Sequence, residues 1–324
     1  MRVLIAGDFP EETKEMIRGH FPADWQVRIL PPQEATGALA EAQVLIPEHM
    51  QLGEALLEAA PRLRLVQTGA GHDNVDLEAC SRHGVAVCCA PGVNARAVAE
   101  HVLACILCHY KNLIPLDAGL KAGLEAGELR YAGGELAGKT IGILGLGHVG
   151  RELAALCGAF QMRVLGCSRR QTPIPGVELR SLEQVCRESD ILSLHVPLTG
   201  ETRHLIDRRL LDSMKPGALL VNTSRGAVVD EAALICALRH GQLGGACLDV
   251  FEEEPLPKDS PLREMKNVIL TPHTAGLPDG VRYHKKRYAF FAENIRRYWA
   301  GQTPEGLLNP GAELRAPAGS EEGD

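Results

Sequence analysis

Short apolar runs alternate with helical patterns along almost the whole chain, and this rhythm restricts the fold more than any other feature of the sequence. Residues 2–6, 26–30, 44–47, 63–67 and 84–89 read as strands, with helices over 11–20 and 53–60 among them. Residues 96–111, free of Pro and Gly, read as a long helix, and a Gly-rich stretch, 118–138, separates it from a second series. There the strands are 140–144, 163–167, 191–194, 218–221, 245–250 and 268–270, with helices over 151–160, 181–188 and 231–240. A last helix, 283–300, carries several aromatic residues. Brief apolar strands set between helices imply parallel sheets covered on both faces. The 324 residues suffice for two domains at roughly 100–200 residues each.

Gly145-Leu146-Gly147-His148-Val149-Gly150 sits between one such strand and the helix after it. In that setting Gly145 permits a tight turn, Gly147 lets the backbone approach a pyrophosphate, and Gly150 lets helix and strand pack closely. His148 and Val149 open the helix, whose first N–H groups favour an anion. An NAD-specific site carries Asp or Glu about 20 residues past this turn, bonding the ribose hydroxyls. Here the next strand ends at Cys167 and is succeeded by Ser168-Arg169-Arg170. A carboxylate would repel a 2′-phosphate; a hydroxyl and two guanidiniums would hold one. The residues therefore predict NADP(H), with NAD(H) as the alternative.

Three further segments stand at strand ends. They are Asn222-Thr223-Ser224-Arg225-Gly226, the run from Asp249 through Glu254, and Thr271-Pro272-His273-Thr274-Ala275-Gly276. Ligands of open α/β sheets bind outside the carboxyl ends of strands, so Arg225, Glu254 and His273 can converge there. Their chemistry suits a proton transfer beside a bound anion. A histidine titrates near working pH and can act as the acid, and a paired carboxylate favours its charged form. An arginine fork can hold a carboxylate and a carbonyl oxygen together.

Composition excludes other classes. The formal net charge is −7, which argues against a polyanion-binding surface and leaves nucleic acid aside. No apolar run reaches the ~18 residues of a membrane span, and Met1-Arg2-Val3 leads straight into a strand rather than a signal peptide. A cytoplasmic protein is expected. Ten cysteines lie mostly within apolar runs, and Cys105-Ile106-Leu107-Cys108 has no second half to make a metal site. They read as small buried hydrophobes, and no metal is expected.

Taken in order, these motifs resemble the D-isomer-specific 2-hydroxyacid dehydrogenase family. The likeness also runs through Gly69-Ala70-Gly71-His72-Asp73-Asn74-Val75-Asp76, residues 94–101, and His195-Val196-Pro197-Leu198-Thr199, and it covers the chain apart from its tail. It implies an α/β fold of two doubly wound parallel-sheet domains. A Rossmann nucleotide-binding domain, 99–284, would be inserted into a flavodoxin-like substrate domain, 1–98 with 285–312, leaving 313–324 as a disordered tail. It implies a homodimer acting on a small 2-keto or 2-hydroxy acid of the glyoxylate or hydroxypyruvate type. It assigns His273 as acid/base, Glu254 as its partner, and Arg225 as substrate anchor. The substrate carboxylate would rest on the N–H groups of Ala70 and Gly71. His195 and Pro197 would flank the adenine, and Val98, Thr223, Asp249, His273 and Gly276 would lie near the nicotinamide.

His72 stands where the family commonly has an apolar or aromatic side chain, and could touch substrate; His101 reads as structural. The linker 127–134 lacks the Trp often found there, and no appended regulatory domain is seen, which weighs against phosphoglycerate as substrate. A phosphite dehydrogenase and a non-catalytic NAD(P)-sensing corepressor are the other readings of the fold. The intact Arg225, Glu254 and His273 argue against the second.

Overall fold

The computed structural model describes residues 1–48, 50–129, 133–169, 172–277 and 281–315. Arg170 and residues 316–324 lie outside them. The chain divides into two compact units, Met1–Val93 with Asp279–Asp324, and Asn94–Pro278.

The first unit holds a sheet of β1 (Arg2–Ala6), β2 (Gln26–Leu30), β3 (Val44–Ile46), β4 (Leu65–Gln67) and β5 (Ala86–Cys88). Its order is β2-β1-β3-β4-β5 and every pairing is parallel, the flavodoxin-like arrangement. Successive residues of a strand face opposite ways, which builds two cores. Val3 and Ile5 pack with Ile17, Tyr288, Phe291 and Ile295, while Leu4 and Ala6 pack with Leu39, Leu57 and Ala79. The helix Val281–Trp299 thus closes one face of a sheet from which the whole second unit separates it in sequence.

The second unit holds β6 (Thr140–Leu144), β7 (Arg163–Cys167), β8 (Val177–Leu179), β9 (Ile191–Leu194), β10 (Ala218–Asn222), β11 (Leu243–Leu248) and β12 (Val268–Leu270). The order β12-β11-β10-β9-β6-β7-β8, all parallel, is the Rossmann order with one strand added. β6, β9 and β10 are buried along their whole length, as central strands of a doubly covered sheet must be. Strand order reverses beside β6, between β7 and β9, and a crevice opens beyond the strand ends at such a point.

Local chemistry fixes where helices begin. Asp76, Asp207 and Asp230 each accept the N–H three residues on, at 2.9 Å. Ser181 and Gln184 form a reciprocal capping box. Helices over Leu77–Arg82 and Arg208–Ser213, and the edge strand β8, escape the periodicity reading because each is six residues or fewer. The helix Leu113–Lys121 overrides the loop expected from its glycine; Pro115 falls in its first turn, where a missing N–H costs nothing.

The tail expectation is corrected at its start. Arg315 donates its N–H to the Gly84 carbonyl at 2.8 Å, and its own carbonyl accepts the Tyr298 hydroxyl at 2.7 Å. Residues 313–315 are therefore tied down, and the rest of the expected tail lies outside the described residues. No helix among the described residues is long and apolar enough to cross a membrane.

Candidate active site

Gly145 leaves β6 with φ at 96°, a conformation open to glycine and strained for other residues. A Cβ there would meet the His195 carbonyl oxygen at 2.5 Å, so the loop after β6 lies directly on the loop after β9. At Gly150 a Cβ would stand 2.1 Å from the Gly145 oxygen, which is why the helix His148–Ala159 needs glycine in its first turn. Gly147 differs: a Cβ there would meet nothing within 4 Å. Gly147 is also the N-cap residue and offers no side-chain cap, so the N-terminal N–H groups of the helix stay open to an anion.

These loops border a cavity of about 500 Å³ whose walls include Gly145, Gly147, His148, Ser168, Arg169, His195 and Pro197. Arg151, Thr172 and Ile174 line it as well. The sequence reading missed these three. Arg151 could have been noticed as the residue after Gly150; Thr172 and Ile174 carry no motif. Arg169 is mostly exposed and lies 3.9 Å from the Glu201 carboxylate. His195 bonds Ser193 at 2.9 Å, and burial pulls its pKa down to about 4, so the ring is neutral. The uncapped helix end, the room at Gly147 and the cavity fit a dinucleotide. So does the buried Thr223 hydroxyl, which has no partner among the described residues.

The catalytic candidates come together at the ends of β10, β11 and β12. Asn222 organises the first: its side chain accepts from Ser224 N and Oγ and donates to the Arg225 carbonyl at 2.9 Å. Gly226 then packs so tightly that a Cβ would stand 1.8 Å from the Phe251 carbonyl carbon. Only glycine lets the Arg225 turn lie against the chain leading to Glu254. The Glu254 carboxylate accepts the Phe251 N–H at 3.1 Å and faces His273 Nδ1 at 2.8 Å. Burial pushes the Glu254 carboxyl up, but the His273 bond, the Phe251 N–H and the charges of His273 and Arg225 outweigh it, and its pKa lies below the ordinary value. The Glu254 bond raises the His273 pKa against the opposition of burial and of Arg225.

His273 has a left-handed backbone, φ 55°, which costs a non-glycine residue roughly 1 kcal/mol or more. Asp249 holds it there. The Asp249 carbonyl accepts the His273 N–H at 2.8 Å, and its carboxylate accepts from Thr271 Oγ1, Thr274 N and Ala275 N at 2.5, 2.8 and 2.9 Å. That carboxylate is thus engaged in bracing the turn. His101 extends the brace, with Nε2 at 3.2 Å from Thr271 Oγ1. Gly276 packs on Asn94, and Val98 lies in the core with Leu146 and Ala275.

Ala70 and Gly71 belong to the first unit and come after β4. Their N–H groups donate to nothing among the described residues. His72 Nδ1 is likewise buried without a partner among them. Seven of the ten cysteines are buried, and burial lifts the pKa of Cys80, Cys88, Cys157 and Cys186 to about 12. Such thiols are inert.

Residues 103–275 match the family described as D-isomer specific 2-hydroxyacid dehydrogenase, NAD binding domain. A glyoxylate reductase of Aeropyrum pernix is 41% identical over 324 aligned residues, covering 95% of this chain and 96% of that one. An acyclic imino acid reductase in complex with NADPH and D-Arg superposes with a TM-score of 0.84 at 28% identity, over 95% of this chain and 100% of that one. The D-lactate dehydrogenase of Aquifex aeolicus, complexed with NAD and lactic acid, gives 0.81 at 29% identity, over 93% and 96%. The fold and the strand-end site define a nicotinamide-dependent oxidoreductase. The chain belongs to the D-isomer-specific 2-hydroxyacid dehydrogenase family.

Proposed function

We propose that this protein is an NADP(H)-preferring reductase of small 2-keto acids, of the glyoxylate or hydroxypyruvate type. The observation that carries the reading is the His273–Glu254 pair, 2.8 Å apart, beside Arg225 and on the same sheet edge as the dinucleotide turn. When bound, the dinucleotide supplies the hydride for reduction or accepts it in the reverse direction. Gly147 and the helix N-terminus would hold its pyrophosphate, with Gly145 shaping the turn and Gly150 letting the helix pack on the strand. His273 keeps Nδ1 on Glu254 and moves the substrate proton at Nε2. Arg225 holds the substrate carboxylate and its carbonyl oxygen, a task for a planar fork. Ala70 and Gly71, whose N–H groups have no partner among the described residues, are the seat this reading gives the substrate carboxylate. The unit Asn94–Pro278 is the nucleotide domain in this reading, and the other unit the substrate domain.

Support for the NADP(H) preference comes from the residues just past the end of β7. No acid stands at Ser168 or Arg169, and both line the cavity. A homodimer belongs to the same reading: Leu113, Ile114 and Leu120 are half or more exposed, and clustered apolar surface of this kind marks subunit contacts. Initial rates with glyoxylate, hydroxypyruvate, pyruvate and 3-phosphohydroxypyruvate, each with NADPH and NADH, test the proposal. Turnover of glyoxylate or hydroxypyruvate with NADPH is expected; no turnover of either would overturn it.

A further inference from the structure

A buried ion pair in the first unit lies beneath the backbone that the proposed function assigns to the substrate carboxylate. Arg287, on the helix Val281–Trp299, pairs with Glu48, just past the end of β3, and their side chains are only 11% and 4% exposed. The Tyr288 hydroxyl donates to the other Glu48 oxygen at 2.7 Å. The Arg287 guanidinium also stands 5.3 Å from the centre of the Phe291 ring. Neither residue belongs to the motifs that mark the family in this sequence.

The guanidinium is aimed at Gly69. A Cβ built there would meet Nη2, Cζ and Nε of Arg287 at 3.2, 3.4 and 3.6 Å. These are the three nearest heavy atoms, so at this position the cation lies closer than its counter-ion does. A side chain at 69 would make the cation give by a few tenths of an ångström. The Gly69 carbonyl is held separately, by the Ala90 N–H at 2.9 Å and the Thr68 hydroxyl at 3.3 Å. The next two N–H groups, of Ala70 and Gly71, are the ones with no partner among the described residues. Burying a charged pair is poor stabilisation, since apolar residues of similar volume often serve as well or better. A fixed cation under an anion seat has a different use, because in a medium of low polarity its field reaches the anion with little screening.

We infer that Arg287 is a positioning residue for the substrate carboxylate: fixed by Glu48, with Tyr288 bound to the same carboxylate, it supports the Gly69–Gly71 backbone and supplies positive potential beneath the anion. Glu48 tempers that potential and keeps the arginine in place. The inference rests on the reading of Ala70 and Gly71 as the carboxylate seat.

The experiment measures kcat and KM for the best 2-keto acid, the Kd of oxalate in the presence of NADP+ by calorimetry, and thermal unfolding. It compares the full-length protein with Arg287→Met and Glu48→Gln. Arg287→Met is expected to raise KM and the oxalate Kd at least about ten-fold while kcat changes less than about three-fold. Glu48→Gln keeps the guanidinium and removes its counter-charge, and is expected to lower both constants. A residue that only packs would lower the melting temperature and the active fraction and leave KM unmoved; that result overturns the inference. So does a raised or unchanged KM in Glu48→Gln, which decides the matter alone if Arg287→Met does not fold. A wild-type protein that neither reduces a 2-keto acid nor binds oxalate overturns the proposed function as well. Wild-type turnover with unshifted variants sinks the inference only.

Discussion

Nδ1 of His273 lies 2.8 Å from Oε2 of Glu254, so one ring nitrogen is committed to a carboxylate and the other is left for chemistry. The bond raises the His273 pKa above 6.5. Reduction consumes the proton on this imidazolium. The kcat/KM for a keto acid is therefore expected to be flat at low pH and to fall as pH climbs through the raised pKa; oxidation shows the mirror image. Glu254→Gln removes the stabilising charge and moves the falling limb to lower pH. A limb that stays in place would count against the pairing.

His273→Ala and Arg225→Ala are each expected to cut kcat/KM by at least about 10²-fold, the scale of a positioned acid and of a substrate anchor. NADPH binding, read by fluorescence titration, is expected to survive both. Arg225→Lys is expected to recover little, because an ammonium cannot make the two-pronged contact. Near-normal rates in the alanine variants would remove both residues from the mechanism.

Asp249→Asn tests the brace under the histidine. An amide presents N–H groups to at least one of the N–H or O–H donors that the carboxylate now satisfies. The expected cost is about 1–3 kcal/mol of stability, with kcat falling further than KM rises as the left-handed turn loosens. Thermal unfolding and steady-state kinetics on the same preparation give both numbers; an unchanged kcat would mean that the turn holds its shape without Asp249.

The second and third glycines of the dinucleotide turn are expected to fail differently. A Cβ at Gly150 would overlap the Gly145 oxygen, whereas one at Gly147 meets no protein atom. Gly150→Ala should therefore lower the melting temperature of the apoprotein. Gly147→Ala should leave it within about a degree, since an exposed and unstrained site contributes little, yet weaken NADPH binding markedly. Equal effects on stability would contradict the geometry.

Arg169→Asp places a carboxylate where the ribose acid of an NAD site stands. The ratio of kcat/KM for NADPH to that for NADH is expected to fall by at least about ten-fold, with the NADH value rising. If NADH is already the better cofactor for the wild-type protein, the preference assigned to Ser168 and Arg169 is wrong.

Sequence legibility tracked distance along the chain. The Gly145–Gly150 turn could be read because its strand, loop and helix are contiguous. The Arg225, Glu254 and His273 segments could be read because each ends an apolar strand, and strand ends share one edge of a parallel sheet. Asp249 was legible as an acid near the site, but its bonds to Thr274 and Ala275 span 25 and 26 residues, and only the fold reveals them. The Glu48–Arg287 pair spans 239 residues, beyond any periodicity or motif. The helix Leu113–Lys121 was hidden for the opposite reason: its Pro115 and Gly119 look like loop residues, and only its position relative to the first turn makes the proline harmless.

The helix Val281–Trp299 sets the order in which the protein can be finished at the ribosome. Its Tyr288, Phe291 and Ile295 are fully buried and complete a core begun by Val3 and Ile5. During synthesis those early strands emerge first and must wait, one apolar face only partly covered by Ile17 and Phe21, while all of Asn94–Pro278 is made and can fold as a unit. The first unit to begin is the last to close, and a chain cut off before residue 281 would leave one face of its opening strands without most of its cover.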